Sequence, residues 1–167
     1  MHFKISVFYM ATKLNNDANI NELLGRARRY CAGSEQCEDT VRQKLVVWRA
    51  TPEESDAVVA TLTAEGYIDD HRYARSYCEG KIKGHQWGRQ KVLYHLRLKH
   101  LSRAAVDSGM AAVSDEDYQA ALRIATEKKL AELHAPSADD PEVRQKLTAF
   151  LVSRGFTIQE INHFLNQ

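Results

Sequence analysis

Two stretches of this chain repeat one pattern. Residues 89–106 read RQKVLYHLRLKHLSRAAV, and residues 144–161 read RQKLTAFLVSRGFTIQEI, a shift of 55 residues. The matched positions include Val92 with Leu147, Leu96 with Leu151, Lys99 with Arg154, and Ser102 with Thr157. The apolar pairs lie one helical turn apart, and the hydroxyl pair lies where a following helix needs an N-cap. The two stretches therefore predict a pair of helices, joined by a tight turn, that occurs twice.

The helical pattern continues on both sides of these stretches. Predicted N-cap residues are Ser34, Thr51, Ser102 and Thr157. Thr51 is followed by Pro52 and Glu54, which predicts a helix start with a capping box. A shift of 51 residues places Thr51 on Ser102, so a more diverged copy of the same unit precedes the two clear ones.

These repeats predict an all-α fold of tandem three-helix repeats, with three units in an elongated or curved molecule. The predicted segments are an N-terminal arm at 1–20, repeat 1 at 21–67, a basic repeat 2 at 68–113 and repeat 3 at 114–167. The arm matches no repeat, and we expect it either to be disordered or to reflect a start assigned upstream of Met10. Eight glycines and three prolines are too few turn residues for an all-β sandwich.

The sequence also indicates the cellular compartment of the protein. No apolar stretch approaches the roughly 20 residues of a membrane span, and the N-terminus lacks the basic leader of a signal peptide. The three cysteines form no CxxC pair, and an odd number favours free thiols in a reducing environment. We therefore expect a cytoplasmic protein that has no contact with a membrane.

Charge is distributed unevenly along the chain. Residues 72–103 contain nine Lys or Arg and one acid, whereas residues 107–142 contain nine acids and three bases. The candidate contact residues of this basic surface are Arg72, Arg75, Lys81, Lys83, Arg89, Lys91, Arg97 and Lys99. Such a surface suits DNA phosphates or an acidic protein face, and its simplest alternative is a solvated helical face.

Enzyme and metal sites find little support in the sequence. Asp69 and Asp70 are adjacent, so on a helix their carboxylates point apart, and capping a helix start explains them better. His95 and His100 are five residues apart, which is not the spacing of a metal pair on one helix. Residues 84–88 lack both the Lys-Ser/Thr and the preceding strand of a phosphate loop. We predict no catalytic residue, no metal and no cofactor.

Two nucleic-acid readings remain open as alternatives. A three-helix unit has roughly the shape of a sequence-reading DNA-binding domain, although each second helix here carries an apolar stripe. Tyr67, Tyr73 and Tyr77 could form a stacking platform for bases, but at helical spacing packing is the more frequent role.

One further run is distinctive. Residues 66–74 read GYIDDHRYA, a glycine, an aromatic, an aliphatic, two acids and then Arg-aromatic-Ala. Together with ARRY at 27–30 and RGF at 154–156, it resembles the RecX family in order and spacing. The residues that carry the resemblance as structural positions are Gly66, Tyr67, Asp69, Asp70, Tyr73 and Gly155. The sequence departs from the family at His100 and Arg49, in the turns where a glycine is usual.

The resemblance implies a fold of tandem three-helix repeats and a regulator of the RecA recombinase. Such a protein is expected to bind the RecA–DNA filament and to inhibit its extension, ATP hydrolysis, strand exchange and coprotease activity. It further implies a monomer whose contacts with single-stranded or double-stranded DNA are weak and non-specific. A stand-alone helical nucleic-acid-binding module is the alternative.

Overall fold

Nine α-helices make up the part of the chain that the computed structural model describes, residues 2–166, with side chains described for 17–166. They are α1 (His2–Gly33), α2 (Glu38–Val47), α3 (Pro52–Ala64), α4 (Asp70–Glu79), α5 (Arg89–Leu98), α6 (Arg103–Ala111), α7 (Asp115–Glu132), α8 (Pro141–Ser153) and α9 (Ile158–Leu165). A π-helical segment, Gly80–Gly84, continues α4. The described residues contain no strand, and the predicted all-helical fold is confirmed.

The first compact unit, Met1–Asp70, is built from α1, α2 and α3. Its core residues are Leu23, Leu24, Ala27, Val41, Leu45, Val58, Val59, Leu62 and Ile68, all buried. Predicted repeat 1 starts at residue 21, inside α1, which begins much earlier, at His2. The predicted arm at 1–20 falls almost entirely on residues whose side chains lie outside the described part.

The second compact unit, His71–Gln167, contains α4 to α9. Within it α7 packs against α8 and against the π-helical segment, α8 packs on α9, and α5 packs on α6. Its fully buried side chains include Ala74, Cys78, Ile82, Val92, Leu96, Leu122, Leu147, Leu151 and Ile161. The second and third predicted repeats therefore share one compact unit.

A turn recurs between the second and third helix of every repeat. Arg49, His100 and Gly155 all have positive φ, at 63°, 53° and 93°. The predicted N-cap residue follows two positions later in each case, and its side chain accepts a hydrogen bond from the backbone three residues on. The positions differ by the 51 and 55 residues of the sequence shifts, so the turn reproduces the repeat. It also shows that Arg49 and His100 adopt the left-handed conformation that usually favours glycine.

Helix capping follows the sequence with one exception. Thr51 and Thr157 form full capping boxes with Glu54 and Glu160, as the pattern at Thr51 predicts. The prediction that Ser34 caps the second helix is wrong, because α2 begins only at Glu38. The side chain of its N-cap residue, Cys37, makes no capping hydrogen bond, and the Glu38 N–H donates instead to the Asp70 carboxylate, 3.0 Å away. Asp70, predicted to cap its own helix, thus caps α2.

No helix in the described residues is both long and apolar enough to cross a membrane.

Candidate functional site

The loop that follows the π-helical segment is held in one conformation by Gln86. This residue is only 7% exposed and has φ 52°. Its side-chain amide donates to the carbonyls of Lys83 and Gly84 at 3.0 Å, and its amide oxygen accepts from Lys128 Nζ at 2.9 Å. A buried side-chain amide satisfied on both sides fixes the backbone around it. Gln86 therefore fixes the position of the next residue, Trp87.

Trp87 is half-buried and lies among cationic and imidazole side chains. Lys81 Nζ is 5.0 Å and Lys91 Nζ 4.7 Å from its ring centroid, both within cation–π range. The His95 ring lies 4.9 Å away, tilted by 34°. We call Lys81, Trp87, Lys91 and His95 the Trp87 cluster. It joins two of the sequence-predicted cations that lie ten residues apart.

The turn between α8 and α9 in the third repeat contacts the backbone next to this cluster. Gly88 N donates to the Arg154 carbonyl at 2.8 Å, and Gln90 N donates to the Gly155 carbonyl at 3.1 Å. A Cβ on Gly88 would overlap the Gly155 backbone, so this approach requires glycine. Lys91 Nζ donates to the Ser153 carbonyl at 3.3 Å, where the carbonyl dipoles at the end of α8 favour a cation.

Two of the predicted contact residues form surface ion pairs with acids of the same unit. Arg89 pairs with Asp115 at 2.7 Å, and Lys83 pairs with Asp117 at 3.1 Å. Both acids belong to the first turn of α7. The Arg89 guanidinium also lies 3.9 Å over the Tyr118 ring. These two cations consequently add less positive potential to the surface than their number in the sequence indicates.

The other four predicted contact residues spread over two helices. Arg72 and Arg75 lie on α4, where Arg72 is half-buried and Arg75 exposed, and Lys99 is half-buried just after α5. Arg97 is exposed on α5, between two exposed apolar side chains, Tyr94 at 60% and Leu98 at 53%. The structure thus brings Lys81 and Lys91 together but does not gather all eight cations at one point.

The other repeats carry related groups of aromatic and cationic side chains. In repeat 1, Tyr30 and Trp48 meet edge to face at 6.3 Å, with Arg26 4.6 Å from the Trp48 centroid. In repeat 3, the Phe150 ring has Lys129 at 5.3 Å and Arg154 at 5.2 Å. The sequence shifts place His95 and Phe150 at equivalent positions. A ring beside a cation is therefore a shared property of the repeats.

Comparison with known families identifies both parts of the second compact unit. Residues 69–110 match the second three-helix domain of RecX, and residues 115–165 match the third three-helix domain of RecX. The chain belongs to the RecX family. These two domains hold the whole Trp87 cluster and the α7 acids that pair with Arg89 and Lys83.

Curated relatives extend the RecX similarity over most of the chain. The regulatory protein RecX of Cronobacter sakazakii is 30% identical over 152 residues, covering 84% of this chain and 88% of that protein. The regulatory protein RecX of Clostridium tetani is 28% identical over 143 residues, which is 86% of this chain but only 65% of that longer relative. Fold similarity agrees: the crystal structure of RecX from Lactobacillus salivarius superimposes with a TM-score of 0.76 at 16% identity, covering 90% of this chain and 96% of that one.

The RecX motif residues from Gly66 to Tyr73 lie in the connection between α3 and α4 and in the first turn of α4. Gly66 has φ 76° and follows the end of α3, and Tyr67 packs against the core of the first unit. Asp69 is half-buried just before α4. Tyr73 stacks on Tyr77 with centroids 5.8 Å apart, both half-buried.

Gly155 is the RecX motif residue closest to the candidate site. A Cβ there would meet the Lys91 backbone nitrogen at 2.5 Å, and its φ of 93° is unfavourable for any other residue. Gly155 therefore lets repeat 3 approach the helix that carries Lys91.

Sequence reasoning missed the two residues that organise this site. Neither Gln86 nor Trp87 is among the sequence-predicted contact residues, because no local pattern shows that a loop amide will be buried. One signal was available: a tryptophan flanked by Lys81 and Lys91 in a segment with a single acid is typical of aromatic–cationic surfaces. The α5 apolar residues Tyr94 and Leu98 were also missed, although both fall outside the Val92–Leu96 core stripe.

Proposed function

We propose that this RecX-family chain binds the RecA–DNA filament and inhibits its extension, and with it ATP hydrolysis, strand exchange and coprotease activity. The observation that carries the proposal is membership in a family of regulatory proteins, together with the exposed cations of the central repeat. Arg75 and Arg97 are exposed, and neither forms an ion pair within the described residues. An unpaired guanidinium is suited to carboxylate or phosphate groups on a partner.

Inhibition of this kind needs no chemistry in the regulator itself. A filament grows by adding subunits, so a protein that binds at or along it can stop growth while present in far smaller amounts than the recombinase. Binding is linked to filament state only through a difference in affinity between states. We therefore assign inhibition to residues that contact the filament, and any nucleotide involved is bound by RecA.

The exposed face of α5 is the part we assign to protein contact. Tyr94, Arg97 and Leu98 lie at i, i+3 and i+4, so they share one side of the helix. Aromatic and arginine side chains are enriched in the energetic centres of interfaces. A contact through this face combines apolar burial with charge, and it survives salt better than phosphate contacts do.

The stand-alone nucleic-acid module remains a second candidate, because the Trp87 cluster holds two lysines without carboxylate partners in the described residues. Salt separates the two. Phosphate-dominated binding falls steeply with salt, whereas recombinase-dependent binding through α5 keeps a salt-resistant part.

The test is single-stranded-DNA-dependent ATP hydrolysis by the cognate RecA during titration with this protein, well below one copy per recombinase. We expect the rate to fall. Arg75→Glu with Arg97→Glu should raise the concentration needed by about tenfold or more, because like charges then face each other across the interface. The matched control is Arg29→Glu with Arg123→Glu, two exposed arginines with the same change in charge. An unchanged rate at equimolar ratios, with folding verified by circular dichroism, would refute the proposal.

A further inference from the structure

The Trp87 cluster contains positive charge that the protein does not neutralise. Within the described residues, the Lys81 ammonium interacts only with the rings of Tyr77 and Trp87. The Lys91 ammonium interacts with the Trp87 ring and donates one hydrogen bond to a backbone carbonyl. Lys83 and Arg89, close by in sequence, each have an aspartate. The acids of α7 thus neutralise one part of the basic segment and leave the Trp87 part without an anion.

A third cation borders the same loop. Arg154 Nη1 donates to the His85 carbonyl at 3.2 Å, which places its guanidinium next to the loop that carries Trp87. Its buried Nε–H has no acceptor among the described residues. Lys81, Lys91 and Arg154 therefore border one loop.

The aromatic component distinguishes this cluster from an ordinary basic patch. Trp87 and His95 lie 4.9 Å apart, and the indole is half-buried rather than enclosed. Aromatic side chains within a positively charged surface are the usual means of holding unpaired bases, because every base has a π-face. Duplex DNA hides those faces, and the indole lies in a loop between helices rather than on a helix that could enter a groove.

The loop is also fixed before any ligand arrives. Gln86 bonds to two loop carbonyls and to Lys128, and Gly88 is held against the α8–α9 turn. A site that is already ordered loses little conformational entropy on binding. The lysines, by contrast, have only cation–π contacts or one carbonyl bond to exchange for a phosphate.

We propose that the Trp87 cluster is a binding subsite for single-stranded nucleic acid, with the phosphodiester between Lys81 and Lys91 and a base against the Trp87 indole. This subsite extends the proposed function, and it rests on that function in one respect, because the filament supplies the single strand. Arg154 adds long-range attraction, and Gln86 is a positioning residue.

Trp87 can report on its own occupancy, because the chain has only two tryptophans. In a Trp48→Phe background the emission comes from Trp87. Addition of oligo(dT) at low salt should quench it, and the affinity should fall as salt rises. Lys81→Gln with Lys91→Gln should weaken binding by about tenfold, as should Trp87→Ala measured by anisotropy of a labelled strand. Arg29→Gln with Arg123→Gln, of equal charge change, should alter it less than about twofold.

Inorganic polyphosphate separates charge from stacking. Equal quenching by polyphosphate and by oligo(dT) would show that only phosphate is recognised and would overturn the stacked base. No quenching by oligo(dT) at low salt would overturn the subsite entirely. RecA inhibition measured on the same samples keeps the two proposals apart: inhibition without quenching leaves the regulator and removes the subsite, and quenching without inhibition does the reverse.

Discussion

Single residues hold the second compact unit together, and Tyr118 shows how. Its side chain is 1% exposed, its ring lies under the Arg89 guanidinium, and it packs on Phe156 at 5.6 Å. The Arg89 backbone N–H donates to the Tyr118 hydroxyl oxygen at 3.2 Å. Burial above all, with a smaller part from Glu160, raises the pKa of Tyr118 well above its ordinary value. One hydroxyl thus joins the start of α5 to α7 near α9.

Tyr118→Phe should lower the free energy of unfolding by about 1–2 kcal/mol at neutral pH, because the Arg89 N–H loses its acceptor. Alkali adds a second effect. The raised pKa means that Tyr118 contributes stability that is fully present below pH 10 and is lost as pH rises, since the unfolded chain ionises first. The wild-type protein should lose up to about 1.4 kcal/mol per pH unit from this group, and the variant should lack that part of the slope.

Urea unfolding between pH 8 and 11 measures both effects. Tyr94→Phe is the matched control, because Tyr94 is 60% exposed and its hydroxyl is free to meet water. A Tyr118→Phe variant with wild-type stability and wild-type alkaline slope would contradict the assigned role of the hydroxyl.

Among elements, the recurring turn decides how closely helices pack. Arg49, His100 and Gly155 share one conformation but different costs, since only glycine adopts positive φ without strain. At Gly155 the turn also meets Lys91, so the absence of a side chain serves packing as well. Of these three turns, the one that supports the candidate site is the one with a glycine.

Arg49→Gly should therefore stabilise the first unit by about 0.5–1 kcal/mol, because the strain of a left-handed arginine is removed. Gly155→Ala should destabilise the second unit by more than about 2 kcal/mol, because the new Cβ adds overlap with Lys91 to an unfavourable φ. Thermal unfolding of the two variants beside the wild-type protein tests the pair. A loss of stability in Arg49→Gly would show that the arginine side chain makes contacts worth more than the strain.

Helices whose caps involve neighbouring residues are predictable from the sequence. Features that depend on contacts between residues far apart in the sequence are not. The caps at Thr51, Ser102 and Thr157 involve residues three positions apart, which a sequence displays directly. The cap of α2 comes from Asp70, which is 32 residues away from Glu38 in the sequence, so the local pattern at Ser34 predicts the wrong cap. The loop at Gln86 depends on Lys128, 42 residues away. The repeat could be read from the sequence, whereas the Trp87 cluster required the fold.

For the molecule as a whole, the net positive charge of the surface is the property for which the sequence-based prediction differs most from the structure. Nine cations against one acid at 72–103 predict a strongly basic surface. The fold places Asp115 and Asp117, which belong to the acidic segment, against Arg89 and Lys83. Part of the apparent charge excess is thus cancelled within the second unit, and the cations without an ion pair in the described residues include Lys81 and Lys91 of the Trp87 cluster, Arg75 on α4 and Arg97 on α5.

Removal of the two α7 aspartates tests this view of the surface. Asp115→Asn with Asp117→Asn changes the formal net charge from +1 to +3 and frees Arg89 and Lys83, which are close in sequence to the Trp87 cluster. The variant should bind oligo(dT) more tightly, and its log–log salt dependence should steepen by up to about 1.4, at roughly 0.7 per added phosphate contact. Ser114 still caps α7, so the helix should persist.

Glu53→Gln with Glu127→Gln gives the same net charge from two exposed acids that form no ion pair with Arg89 or Lys83 in the described residues. If both variants gain affinity equally, total charge alone controls binding, and the pairing of Arg89 and Lys83 has no specific effect. If only the aspartate variant gains, the two cations reach the strand once released. The acidic turn of α7 then limits how strongly this protein holds nucleic acid, which keeps its DNA contacts weak enough for a partner protein to decide where it binds.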